Sequence, residues 1–214
     1  SFRRMSWLDG MDLRALTSVP LSSSIRRTWR CAFAPRRPTG LRAPVYRRRD
    51  KSSTLEERVR DLAFLREAIR LAAAHSADGR GGPFGAVVVR GEEVVGRGWN
   101  QVVASRDPTA HAEILAIRDA ARHLGTHVLT ECTLYSSCEP CPMCMAAIYW
   151  ARIPHVVYAA QGSDAREAGF SDTLIARELV MDPEKRSVRT HQALREEGRA
   201  VLKTWLENPK RQEY

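Results

Sequence analysis

Helix-like and strand-like segments alternate from about residue 54 to residue 206, and that alternation predicts an α/β fold, specifically a three-layer α/β/α sandwich. Two further observations support it: a paired set of short apolar runs that reads as a hairpin, and apolar stripes at helical spacing on either side of it. The first helix starts at Thr54, where Thr54-Leu55-Glu56-Glu57 forms a capping box with Glu57 three residues after the cap. Leu55, Val59, Leu62, Leu65, Ile69 and Ala72 then recur at spacings of three and four until glycines interrupt the pattern at 79–82. Residues 84–90 and 93–99 read as two strands joined by a turn at Gly91.

A second helix follows Asp107-Pro108-Thr109, with Ile114, Ile117, Ala121 and Leu124 along one side and His111 expected in its first turn. Residues 133–136 read as a strand that runs into Pro140-Cys141-Pro142. Proline is tolerated at a helix start because the first N–H groups have no intrahelical acceptor, so residues 145–150 are expected to continue a third helix from that point. A strand at 155–160, a helix at 173–180 and an amphipathic segment at 201–206 complete the order.

Charge divides the chain in two. Of the total of +9, residues 1–49 carry +10, from twelve arginines against Asp9 and Asp12, so the remainder is near neutral at −1. The first fifty residues lack sustained periodicity and are expected to form a disordered basic extension, with residues 51–214 as the folded domain. An organelle transit peptide, a basic interaction arm and translated upstream sequence without function all remain open for the extension. A near-neutral domain lacks the basic footprint of a phosphate-gripping surface, so nucleic acid is not an expected partner. No apolar run approaches the ~20 residues of a membrane helix, and a cytoplasmic protein without membrane contact is expected. Four of the five cysteines lie between Cys132 and Cys144, three of them spaced Cys-x-x-Cys-x-x-Cys; this suits metal ligation in a reducing compartment, with no disulfides.

The chemistry concentrates at His111-Ala112-Glu113 and Pro140-Cys141-Pro142-Met143-Cys144. Cys141 and Cys144, three apart at a helix start, present both sulfurs to one ion. Together with His111 they make three zinc ligands, and three protein ligands leave a fourth position for an attacking water, as catalytic rather than structural zinc does. The helix terminus and the ion both favour the thiolates. Glu113 follows His111 by two residues, about 200° around a helix, so it is poorly placed to chelate the same ion and is assigned proton transfer instead. The alternative is a closed structural site in which Cys138 supplies a fourth ligand.

His-x-Glu followed by Pro-Cys-x-x-Cys resembles the signature of the zinc-dependent cytidine and nucleobase deaminases, which hold one zinc by His, Cys and Cys and use a non-ligand Glu for proton transfer. Within that superfamily the chain is similar to the bacterial guanine deaminases across about residues 55–214, in Gly82-Pro83-Phe84-Gly85-Ala86, Asp107-Pro108-Thr109-Ala110-His111-Ala112-Glu113, Ser137-Cys138-Glu139-Pro140-Cys141-Pro142-Met143-Cys144, Ala147-Ile148-Tyr149-Trp150-Ala151-Arg152 and Glu167-Ala168-Gly169-Phe170. The resemblance implies a cytidine deaminase-like sandwich with a mixed sheet, one Zn2+ per subunit, and hydrolytic deamination of guanine to xanthine. It also implies a substrate set of Asn100, Ala112, Asp172 and Tyr214, and a homodimer that exchanges C-terminal segments so that Tyr214 closes the partner's purine site.

Other readings stand beside these. Asn100 suits a strand-end turn, Asp172 a helix cap and Tyr214 a frayed end. Phe84 and Trp99 are candidates for apolar walls, whereas Met143, Met145, Tyr149 and Trp150 are expected to serve helix packing and the remaining histidines no metal. Guanosine, another nucleoside or nucleobase and, more remotely, a tRNA adenosine are alternative substrates. A zinc-stabilised interaction protein without catalysis is the reading from a different class.

Overall fold

Four strands run in the order β2-β1-β3-β4, where β1 is Gly85–Arg90, β2 Glu93–Trp99, β3 Cys132–Cys138 and β4 His155–Ala160. They belong to a computed structural model that describes residues 54–212 except 78 and 80. The basic extension, its boundary near residue 50 and Tyr214 lie outside the described residues. β1 and β2 pair antiparallel as the expected hairpin, β1 pairs antiparallel with β3, and β3 pairs parallel with β4, so the sheet is mixed. The parallel pair needs a crossover, because a tight turn can join only antiparallel neighbours; the helix between β3 and β4 supplies it.

Helix α1 (Leu55–Ser76) opens with the anticipated capping box: Glu57 N–H donates to Thr54 Oγ1 at 3.2 Å and Thr54 N–H to the Glu57 carboxylate at 3.1 Å. It covers one face of the sheet, where Val87, Val89 and Tyr135 are buried against Phe64, Leu65 and Leu71, and the Tyr135 hydroxyl donates to Asp61 Oδ1 at 2.6 Å. The opposite face carries Ala86, Val88, Val95, Cys132 and Leu134, and it is covered by helices α3 (Ala112–Leu124) and α4 (Pro142–Trp150). Alternate residues of β1 thus serve two separate cores, as the two-residue period of a strand requires. The expected three layers are present.

Helix α3 comes unusually close to the hairpin. A Cβ on Gly98 would stand 2.1 Å from the Ala112 carbonyl oxygen, and one on Gly96 2.3 Å from that of Ala116. Ala112, Ala116 and Ala120, four apart on the facing stripe of α3, complete a seam with almost no side chain in it.

Two short helices escaped the sequence reading, α2 (Val102–Ser105) and α5 (Gly162–Glu167). At one turn or two they are too short to display an apolar period. Helix α6 (Thr173–Leu179) and a longer α7 (Arg195–Glu207) follow. His111 is the N-cap of α3, in an extended conformation at φ −72° and ψ 154°, rather than a residue of the first turn. Tyr149 and Trp150, expected to pack, are 58% and 67% exposed; they lie on the side of α4 that faces away from the core.

Candidate active site

His111 and Cys141 occupy equivalent places, each the extended N-cap of a helix, with Cys144 one turn into α4. The two helix starts converge. Cys141 Sγ and Cys144 Sγ are 3.5 Å apart, and His111 Nδ1 lies 3.6 Å from the first and 3.5 Å from the second. A tetrahedral zinc with ordinary bond lengths separates two sulfur ligands by about 3.8 Å and a sulfur from a nitrogen by about 3.6 Å. The triangle therefore has the dimensions zinc needs, with Nδ1 as the imidazole ligand atom.

The loop before His111 is held from both sides. Asp107 Oδ1 accepts from the Thr109 N–H at 2.8 Å and its hydroxyl at 2.7 Å, while the Ala110 carbonyl accepts from the Gln101 N–H at 3.0 Å. These bonds hold the Asp107 carboxyl below the usual carboxylate range, Thr109 contributing most.

Cys138 is not part of the triangle. Its thiol points to the Gln161 carbonyl oxygen at 3.6 Å, and the three-member ligand group among the described residues is His111, Cys141 and Cys144. A closed four-ligand site is therefore not what these side chains form. Cys141 is held as a thiolate, its pKa lowered to about 4 chiefly by the neighbouring Cys144 sulfur, and Cys144 is correspondingly pushed up as the donor of that pair. An ion bound by both would keep both deprotonated. None of the four described cysteines is in a disulfide.

Glu113 is only 5% exposed. Burial raises its pKa, opposed by hydrogen bonds that include one from Ser136. Its Oε1 accepts from the Ser136 hydroxyl at 2.9 Å, and its Oε2 lies 3.4 Å from Cys144 Sγ. The carboxylate thus borders the ligand triangle without joining it.

A cavity of about 360 Å³ opens over these groups, lined among others by His111, Glu113, Cys141, Asn100, Asp172 and Phe84. That volume suits a single small ring system. Asn100 is buried, and its Oδ1 accepts from the N–H groups of Gly82 at 3.1 Å and Val102 at 3.3 Å. It is therefore both the loop organiser and a cavity residue. Asp172 stands at the N-cap of α6 but makes no capping hydrogen bond, and its side chain lines the cavity instead.

Phe84 forms one wall, packed edge-to-face on Phe170 at 5.0 Å between centroids. Trp99 does not serve as a wall: its ring stacks on His75 at 4.0 Å. Ala112 is fully buried under the hairpin and its side chain does not line the cavity. Tyr214 lies outside the described residues.

Sequence reasoning gave no role to Phe170, Val102, Val103 and Ile175, all of which line the cavity, nor to Ser136 beneath Glu113. Ser136 carried a signal: it is a hydroxyl at a core-facing position of a strand, two residues from Leu134.

Residues 58–160 match the cytidine and deoxycytidylate deaminase zinc-binding region, and the chain belongs to that family. Its geometry is that of a zinc-dependent hydrolytic deaminase. It is similar to guanine deaminase of Bacillus subtilis (strain 168), 46% identical over 151 residues that cover 71% of this chain and 97% of that one. The crystal structure of guanine deaminase from Bacillus subtilis superposes with a TM-score of 0.69 at 45% identity, covering 72% of this chain and 98% of that chain. A tRNA-specific adenosine deaminase of Buchnera aphidicola is more distant, at 32% over 149 residues, or 70% of this chain and 95% of its own length.

Proposed function

We propose that this chain is a guanine deaminase, converting guanine and water to xanthine and ammonia. The observation that carries the reading is the buried Glu113 carboxylate beside a three-ligand triangle, opening into a cavity that also contains Asn100 and Asp172. Its similarity to the Bacillus subtilis enzyme supports guanine over other bases.

His111, Cys141 and Cys144 would hold a zinc ion, whose Lewis acidity would make a water nucleophilic near neutral pH. Glu113 would take one proton from that water and pass it to a ring nitrogen, then take the remaining proton of the added hydroxyl as the carbonyl forms and deliver it to the departing amine as the carbon–nitrogen bond breaks. Asn100 Nδ2 donates to an acceptor on the purine edge, and Asp172 accepts from a ring N–H. A site built from such groups rejects rings that leave them unpaired. Ala112 contributes through the backbone at the head of α3. Its methyl group fills the seam below.

Asp172→Ala is expected to raise KM for guanine about tenfold or more, with zinc content unchanged. The decisive assay offers guanine, guanosine, adenine, cytosine and cytidine separately and follows ammonia. Guanine is expected to be turned over fastest, and a preference for guanosine or an adenosine-containing substrate would overturn the assignment. Adenosine in tRNA is disfavoured by the net of −1 on residues 50–214.

The homodimer with exchanged C-terminal segments is part of the same proposal. Val103, Phe170 and Ile175 line the cavity yet are 66%, 44% and 49% exposed, so its mouth is open toward solvent within one chain. Val201, Leu202 and Leu206 of α7 are likewise exposed. A partner's C-terminal segment, ending in Tyr214, would cover apolar surface of this kind and exclude water from the base. Among the described residues no helix is long and apolar enough to cross a membrane. A reducing, cytoplasmic setting is the environment this reading assigns to the thiol-rich site.

A further inference from the structure

Ser136 sits at the floor of the site, 0% exposed, and faces the layer that contains α3 and α4. On β3 the neighbouring positions on that face are Cys132 and Leu134, both in the apolar core. A hydroxyl there is costly unless it finds a partner. Its partner is Glu113 Oε1, 2.9 Å away.

The two oxygens of Glu113 therefore have different surroundings. Oε1 accepts from a hydroxyl anchored in the centre of the sheet, where Ser136 pairs with Ala86 of β1 on one side and Tyr158 of β4 on the other. Oε2 faces Cys144 Sγ at 3.4 Å, on the ligand side. A cysteine that ligates a metal is a thiolate with no proton to donate, so of the two side-chain contacts the Ser136 bond is the one that persists in the working site, beside the bond from Glu113's own backbone N–H.

We infer that Ser136 is a positioning residue for the deamination: it holds Glu113 through Oε1, fixes the rotation of the carboxyl group, and leaves Oε2 as the oxygen that takes and returns the proton. The inference rests on the proton-transfer role proposed for Glu113. Oε1 uses one of its lone pairs on the serine, and Oε2 lies 3.4 Å from Cys144 Sγ at the edge of the ligand triangle. Removing the hydroxyl would let the carboxyl group turn and spread the proton-accepting oxygen over several orientations, which slows proton transfer without changing how the base is bound.

The test compares zinc-loaded full chains of Ser136→Ala, Ser136→Thr and Glu113→Gln. Glu113→Gln is expected to lose about 10²- to 10⁴-fold in kcat; if it does not, the proton-transfer role itself is wrong, whatever the serine variants do. With that role upheld, Ser136→Ala is expected to lower kcat about ten- to a hundredfold, keep KM within about twofold and retain one zinc per chain. Ser136→Thr, which keeps the hydroxyl, is expected to return kcat to within about threefold of the native chain. A Ser136→Ala protein with native kcat, or one whose deficit lies in KM or in zinc content, would overturn the inference. If Ser136→Ala does not fold, Ser136→Thr decides: near-native kcat supports the assignment, and a hundredfold loss in a folded, zinc-loaded protein refutes it.

Discussion

The sheet with α1, α3 and α4 and the segment after β4 are built on different terms. In the first region each apolar face meets another: Leu134, Val87 and Val88 are fully buried, and the ligand triangle rests on this packing. In the second, α6 and α7 contain no buried residue, and Leu174, Leu179, Val201 and Leu202 are each more than half exposed. The metal centre is thus completed by one chain's own core, whereas the mouth of the cavity is bordered by elements that have little to pack against. The ligands lie in the packed region and the cavity's rim in the exposed one.

The largest expected effect falls on the self-contained region. Cys144→Ala removes one corner of the triangle and is expected to abolish zinc retention after dialysis, while Cys138→Ser keeps one zinc per chain; equal loss in both would mean that Cys138 is a ligand after all. Leu134→Ala opens a hole in the same core and should cost about 2–5 kcal/mol in denaturant unfolding. A cost below 1 kcal/mol would show the core to be looser than its burial implies.

Smaller effects are expected in the exposed region. Deleting residues 195–214 is expected to convert a dimer to a monomer by light scattering and to lower kcat/KM at least about tenfold, equivalent to about 1.4 kcal/mol, with zinc retained. An active, dimeric truncation would remove the exchanged segment from the account. The smallest change is Leu202→Ser, expected to shift the stability of a dilute, monomeric chain by no more than about 0.5 kcal/mol while weakening dimerisation. A large loss in the monomer would place Leu202 in a core that one chain forms alone.

The same division explains what could be read from the sequence. Helix α3 and the hairpin were legible because their buried faces impose a period, and two of the ligands because Cys141 and Cys144 share a helix turn. Helix α1 was legible from its capping box, but Leu55, Val59, Leu62 and Ile69 of its apolar stripe are exposed, and Phe64, Leu65, Ala68, Leu71 and Ala72 meet the sheet instead. The site's walls were harder. Val102 and Val103 belong to a single-turn helix and Phe170 to an irregular stretch, where no period marks which side chain faces inward. Trp99 was a candidate for an apolar wall, but in the folded chain its ring stacks on His75. Asn100 was legible only in part: a turn role and a cavity role looked like competitors, and in the folded chain its Oδ1 organises the loop while the residue lines the cavity.

The seam between the hairpin and α3 has a bearing on how this catalyst can vary. His111 caps a helix whose distance from β2 is set by missing side chains at Gly96 and Gly98, while the two sulfurs ride on a different helix. One added methyl group at residue 98 would press on the Ala112 carbonyl oxygen at 2.1 Å and the Ala116 nitrogen at 2.5 Å, so it would act as a shim that pushes the head of α3, and the imidazole with it, away from β2. The imidazole's place is consequently set from the outer rim of the sheet, and a side chain at either glycine is expected to cost packing and zinc retention together.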